Sequence, residues 1–158
     1  MVAESRLSAY AMPLDPRNES KVRWLSTAIS ALAILGMADS GLLTIHHFHH
    51  MNLPTCGSGH CERVLTSWYA HPFFGIPTSV YGFAYYAMIY LLPSFNVPPR
   101  RLVPLAALAF CIHLGFVGVQ AFIIHAFCNY CLLSAATTTL IFILMMALAR
   151  ASGPPKDQ

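Results

Sequence analysis

The chain is short of charge: only 9% of its 158 residues are Asp, Glu, Lys or Arg, against about 25% in an ordinary soluble domain. That shortage excludes a conventional water-soluble surface. It also lacks a basic patch. The formal charge of +3 comes from nine Lys and Arg spread along the sequence, which is not the electropositive stripe that nucleic acid requires. There is no internal repeat and no second domain, and no small-residue cleavage site follows the first apolar run, which is long for a signal-peptide core. What the chain does have is 56% hydrophobic residues. A transmembrane helix needs about 20 mostly apolar residues, since it rises about 1.5 Å per residue across a hydrocarbon core about 30 Å thick.

Four stretches, at about 24–44, 74–92, 102–124 and 128–149, meet that requirement. The predicted fold class is an all-α integral membrane protein, a four-transmembrane-helix bundle. Residues 1–23 and 150–158 read as polar tails flanking a membrane domain over 24–149, with a loop at about 45–73 that holds a short interfacial helix over 62–69. Pro93 ends the second span, and Pro98, Pro99, Arg100 and Arg101 make the turn into the third. Asn18-Glu19-Ser20 matches a glycosylation acceptor, but the orientation puts it on the wrong side.

Orientation follows from the cationic residues, because cytoplasmic loops carry an excess of Lys and Arg. Arg6, Arg17, Lys21, Arg23, Arg100, Arg101, Arg150 and Lys156 fall on one side of a four-span topology, and Arg63 on the other. Both termini are therefore expected in the cytoplasm of the cell (inner) membrane. The long loop and the start of the fourth helix face outward, into a compartment that permits disulfides.

The five cysteines stand at Cys56, Cys61, Cys111, Cys128 and Cys131. Cys128-Asn129-Tyr130-Cys131 is a Cys-x-x-Cys at a helix start, where unpaired N–H groups and the helix dipole favour the nucleophilic thiolate. The i, i+3 spacing puts both sulfurs on one face, and that face continues through Ser134 and Thr138 as a polar stripe turned into the bundle. Cys56 and Cys61 flank Gly57, Ser58, Gly59 and His60, a spacer flexible enough to close a small ring. Thiol–disulfide exchange passes through a mixed disulfide, so sulfurs must approach to about 2 Å, and a flexible loop pair can serve two stations in turn. The alternatives are a Cys/His metal-binding membrane protein and a non-catalytic four-helix component stapled by two disulfides.

The order of a helix, the loop pair, Cys61-Glu62-Arg63-Val64-Leu65, Ser67, then Phe74-Gly75-Ile76-Pro77-Thr78-Ser79-Val80-Tyr81-Gly82 and finally Phe127-Cys128-Asn129-Tyr130-Cys131 resembles the vitamin K epoxide reductase family in its prokaryotic form. The resemblance covers about residues 24–149. It implies a quinone-dependent thiol–disulfide oxidoreductase that supports disulfide bond formation. Electrons would pass from a thioredoxin-fold partner to the loop pair, then to the helix pair, then to a quinone of the ubiquinone or menaquinone type. By position, Cys56 would meet the partner, Cys61 would form the transient disulfide with Cys128, and Cys131 would lie against the quinone. Ser67, Thr78 and Ser79 are the expected quinone-pocket residues, and no metal is expected. The vertebrate enzymes carry Asn at the position of Thr78 and Tyr at that of Ala135. Many bacterial relatives carry a fused thioredoxin-like domain; none is visible here, so a separate partner is expected.

Other residues fall outside this scheme. Asp39 is the only carboxylate inside a predicted span, where ionisable groups are costly; proton delivery and contact with interfacial water are both open to it. His46, His47, His49 and His50 form either a metal-binding run or a polar interfacial segment. Cys111 is expected to act as a small hydrophobe. Gly75, Gly82, Gly115 and Gly118 are expected to permit close helix packing.

Overall fold

The computed structural model describes residues 16–49, 60–71, 75–95 and 97–152. Five α-helices follow in order: α1 Pro16–His49, α2 His60–Leu65, α3 Thr78–Leu91, α4 Pro99–Val119 and α5 Asn129–Ala151. Short 3-10 turns lie at Trp68–Ala70 and Leu92–Phe95, and a π turn at Gln120–Ile124 extends α4. Cys56, Gly57, Ser58, Gly59, His50 and Phe74 lie outside the described residues.

Three helices are long and apolar enough to cross a membrane: Glu19–His49, Pro99–Ile124 and Asn129–Ala151. The protein is an all-helical membrane protein. Their outward residues are large and apolar, including Ile34, Leu35 and Leu42 on α1, Leu108, Ile112 and Leu114 on α4, and Leu140 and Ile143 on α5. Such a surface suits lipid, where helices satisfy all their own backbone polar groups.

Several helix boundaries differ from those predicted: the loop helix is His60–Leu65 rather than 62–69, and α4 takes in Pro99, Arg100 and Arg101, which were expected in the turn before it. α1 begins at Pro16 rather than near residue 24 and continues through His49. Hydropathy locates only the apolar window, whereas polar residues such as Lys21 and Arg23 are good helix formers and prolong the helix beyond it. At 34 residues α1 is about 51 Å long, well over the hydrocarbon thickness. α3 starts at Thr78, not residue 74, because Gly75 has φ 73° and Pro77 occupies the N-cap position. A left-handed glycine and a residue preceding proline both resist α geometry. α3 has 14 residues, below the length of a spanning helix by itself.

α1 packs against both α3 and α5, and α5 also carries α4. Within lipid the drive is close van der Waals packing rather than release of water, so small residues belong at the contacts. Ala33, Ala106 and Ala109 are buried there, and a methyl group at Gly36 would collide with the ring of Tyr86. Gly82 fits the packing expectation, with Ser40 Oγ 3.2 Å from where its Cβ would stand. Gly115 and Gly118 do not, since nothing lies within 4 Å of theirs. One buried cluster, including Tyr86, Ile89, Ile141 and Met145, fills the bundle, and a second gathers Cys61, Val64, Ala126 and Cys128.

Candidate active site

The second cluster brings the loop to the start of α5. α2 presents Cys61 and Val64 inward, both 3% exposed, against Cys128, which is fully buried. Cys131 packs against the same cluster with Ile124 and Tyr130. Three of the four predicted cysteines therefore meet. Cys111 is exposed on α4 instead of buried, so it faces away from them.

The chain between α4 and α5 explains how Cys128 is presented. The π turn widens the end of α4, and His125 then takes a left-handed conformation, φ 51°, which reverses the backbone. The Ala126 N–H donates to the Gln120 carbonyl at 3.2 Å. Cys128 is the N-cap residue of α5, extended at φ −100° and ψ 119°. Its N–H donates to Gln120 Oε1 at 2.8 Å, so a buried amide satisfies a donor that lipid could not. Gln120 is itself fully buried, and its Nε2 has no partner among the described residues.

The thiol hydrogen bond donated by Cys131 is the main influence that holds Cys128 below the ordinary thiol range, at about 6; burial opposes it. The N–H groups of Cys131 and Tyr130 and the thiol of Cys61 also favour the thiolate. The side chain makes no formal capping hydrogen bond, so these N–H groups act as nearby dipoles, as expected at a helix N-terminus. Cys128 thus carries thiolate character in the reduced cluster.

Below the cysteines the predicted polar stripe is present. Ser134 and Thr138 are buried, and both hydroxyls lie 2.8 Å from Tyr86 Oη. Tyr86 donates to the Ser134 carbonyl at 3.0 Å. His113 donates from Nδ1 to the Ala109 carbonyl at 2.9 Å, and its Nε2 lies 3.3 Å from Ser134 Oγ. Asp39 is 4% exposed, and neither carboxyl oxygen has a partner among the described residues. It stands within electrostatic range of Cys128, Cys131 and Tyr86. It lies in the packed interior rather than in contact with interfacial water.

The predicted quinone-pocket residues are placed apart from this network. Ser67 Oγ donates to the Val64 carbonyl at 2.7 Å, closing the end of α2. Thr78 opens α3. Ser79 accepts from Thr44 Oγ1 at 3.0 Å, which ties α3 to α1. An open groove of 380 Å³ runs between Trp68 and Tyr69 of the 3-10 turn and Ile112, Gly115, Phe116 and Val119 of α4.

Of the histidine run, His47 Nδ1 lies 3.4 Å from His71 Nε2. His71 Nδ1 donates to the Ser67 carbonyl at 3.3 Å, so in neutral rings Nε2 accepts and His47 donates. The pair pins the segment after α2 to the end of α1. Among the described residues no group of three His, Cys, Asp or Glu side chains is arranged to hold a metal.

The description "Vitamin K epoxide reductase family" matches residues 27–146. The chain belongs to the vitamin K epoxide reductase family. Neither a curated protein nor a solved structure gives a significant match. Family membership makes the chain a membrane oxidoreductase. Within that family assignment, sequence reading had missed Tyr86 and Gln120. An aromatic in an apolar run carries no signal of its own. Gln120 carried a faint one, as an amide inside a span.

Proposed function

We propose that this member of the vitamin K epoxide reductase family reoxidises a thioredoxin-fold partner and passes the electrons through its two cysteine pairs to a membrane quinone. The observation that carries the reading is the meeting of Cys61 with Cys128 and Cys131 in one buried cluster. Cys56 receives electrons from the partner. The Cys61 thiolate attacks Cys128 of the Cys128–Cys131 disulfide and releases Cys131 as thiolate; Cys56 then attacks Cys61 and releases Cys128, and oxidation of the two helix thiols by the quinone closes the helix pair again. A structural staple would need no third sulfur at hand.

The quinone is the electron-accepting substrate, and it takes up two electrons and two protons. The residues fit such a molecule: the groove beside Trp68, Tyr69 and Phe116 is apolar and aromatic, and exposed Ile112 opens it toward lipid. Of the expected pocket residues, Ser67 adjoins Trp68 in the chain, and neither Thr78 nor Ser79 lines the groove. The 3-10 turn Leu92–Phe95 lengthens α3 by about 8 Å beyond its own 21 Å or so. Together they approach the thickness of a bilayer, which supports α3 as a fourth span. Both termini then lie in the cytoplasm, with tails over 1–23 and 150–158, and the cysteines lie at the outer surface.

Mass-tag labelling of the purified protein tests this. After reduction, addition of a soluble quinone is expected to remove Cys128 and Cys131 from the labelled pool, and a reduced thioredoxin-fold partner is not needed for that step. Constant labelling of both pairs would overturn the proposal.

A further inference from the structure

Among the described residues, Asp39 is a buried carboxyl near the thiols that the electron path leaves without work. Its burial is nearly complete, and neither oxygen has a partner among the described residues. Burying an ionised carboxylate with no donor to either oxygen is costly, and such a group neutralises instead. Yet the position is not an inert one: the titratable groups facing it are Cys128 and Cys131 from α5 and Tyr86 from α3. Tyr85 lies beside Tyr86 with its rings' centroids 5.0 Å apart, and His113 of α4 reaches the same network through Ser134.

Resting on the exchange path proposed above, we propose that Asp39 is the acid that protonates Cys131 when the Cys128–Cys131 disulfide is opened. The thiolate of Cys61 attacks Cys128, forming the Cys61–Cys128 bond and breaking the Cys128–Cys131 bond. The electron pair of the broken bond leaves on Cys131. Asp39 transfers its proton to that sulfur, leaving a Cys131 thiol and an Asp39 carboxylate. No external oxidant or reductant enters this exchange. When the quinone reoxidises the helix pair, it takes the two electrons of the thiols and two protons from water, the Cys131 proton returns to the carboxylate, and the cycle closes. Transfer runs downhill, because burial disfavours the charged form of both groups and a carboxylic acid is intrinsically a stronger acid than a thiol. Transfer to the sulfur requires a bridging water, since the carboxyl makes no direct hydrogen bond to sulfur in this state. A good leaving thiol accelerates exchange, and general acids contribute about 10²-fold or more.

The test follows reduction of the oxidised full-length chain by a small dithiol, with time-resolved mass-tagging of Cys128 and Cys131 at constant reductant thiolate across pH. In the wild type the rate is expected to fall as pH rises through a single group. Asp39→Asn should be slower by about 10²-fold and flat with pH, and Asp39→Glu should recover the slope. A flat wild-type profile overturns the proposal without need of any variant, as does an Asp39→Asn profile that matches the wild type. In both cases the electron path stands, because the cysteines still switch; if they do not switch at all, both proposals fall.

Discussion

At the level of single residues, the chemistry is set by what surrounds each sulfur. Cys128 faces two thiol donors and a helix N-terminus, and thiolate at neutral pH follows. Its folded pKa is depressed to about 6 from an unperturbed 9.0, so the sign of the linkage is fixed. The thiolate's contribution to stability is complete above the unfolded thiol pKa. It shrinks as pH falls and is gone below about 6. Titration of thiolate ultraviolet absorbance is expected to show one thiol ionising near that pH, lost in Cys128→Ser and raised toward the ordinary thiol range in Cys131→Ala. The same transition persisting in Cys128→Ser would reassign it. The identity of Cys128, Cys131, Ser134 and Thr138 as one inward stripe was readable from spacing alone, because three- and four-residue steps return to the same helix face. Their partner Tyr86 was not, since the contact joins residues 48 and 52 positions apart.

Among the elements, the α1–α3 contact is the tightest. Gly36 lies directly against the Tyr86 ring, and Tyr86 in turn holds Ser134 and Thr138 of α5. Gly36→Ala is therefore expected to push the ring off its hydroxyl partners and destabilise the bundle by about 1–3 kcal/mol. Gly115→Ala, where the space is open, should be neutral to stabilising, since alanine favours helix by about 1 kcal/mol. Thermal unfolding in detergent compares the two; equal effects would show that the Tyr86 contact is not limiting. Sequence could not rank these glycines. All four looked alike as small residues in or near spans, and only the partner across the interface separates a packing glycine from Gly75, which makes a left-handed turn. Helix ends were similarly hidden, because hydropathy marks the lipid-facing part of α1 while its polar ends continue as helix.

For the molecule as a whole, the π turn, the reversed His125 and the Gln120 amide deliver Cys128 to the place where α2 delivers Cys61. The His47–His71 pair fixes the loop's far end to α1. A loop tethered on both sides of its cysteine can hold that sulfur over a buried partner, which is what relay between two pairs demands. Class and family were legible from apolar length and cysteine order; the convergence of three sulfurs, built from elements 60 or more residues apart, required the fold. Its most direct test is disulfide mapping by mass spectrometry of the air-oxidised Cys131→Ala protein. The account predicts a peptide linking Cys61 to Cys128, because the resolving thiol has gone while the other two remain in contact. Recovery of Cys128 only as an unlinked thiol, with Cys61 bonded to Cys56, would contradict it.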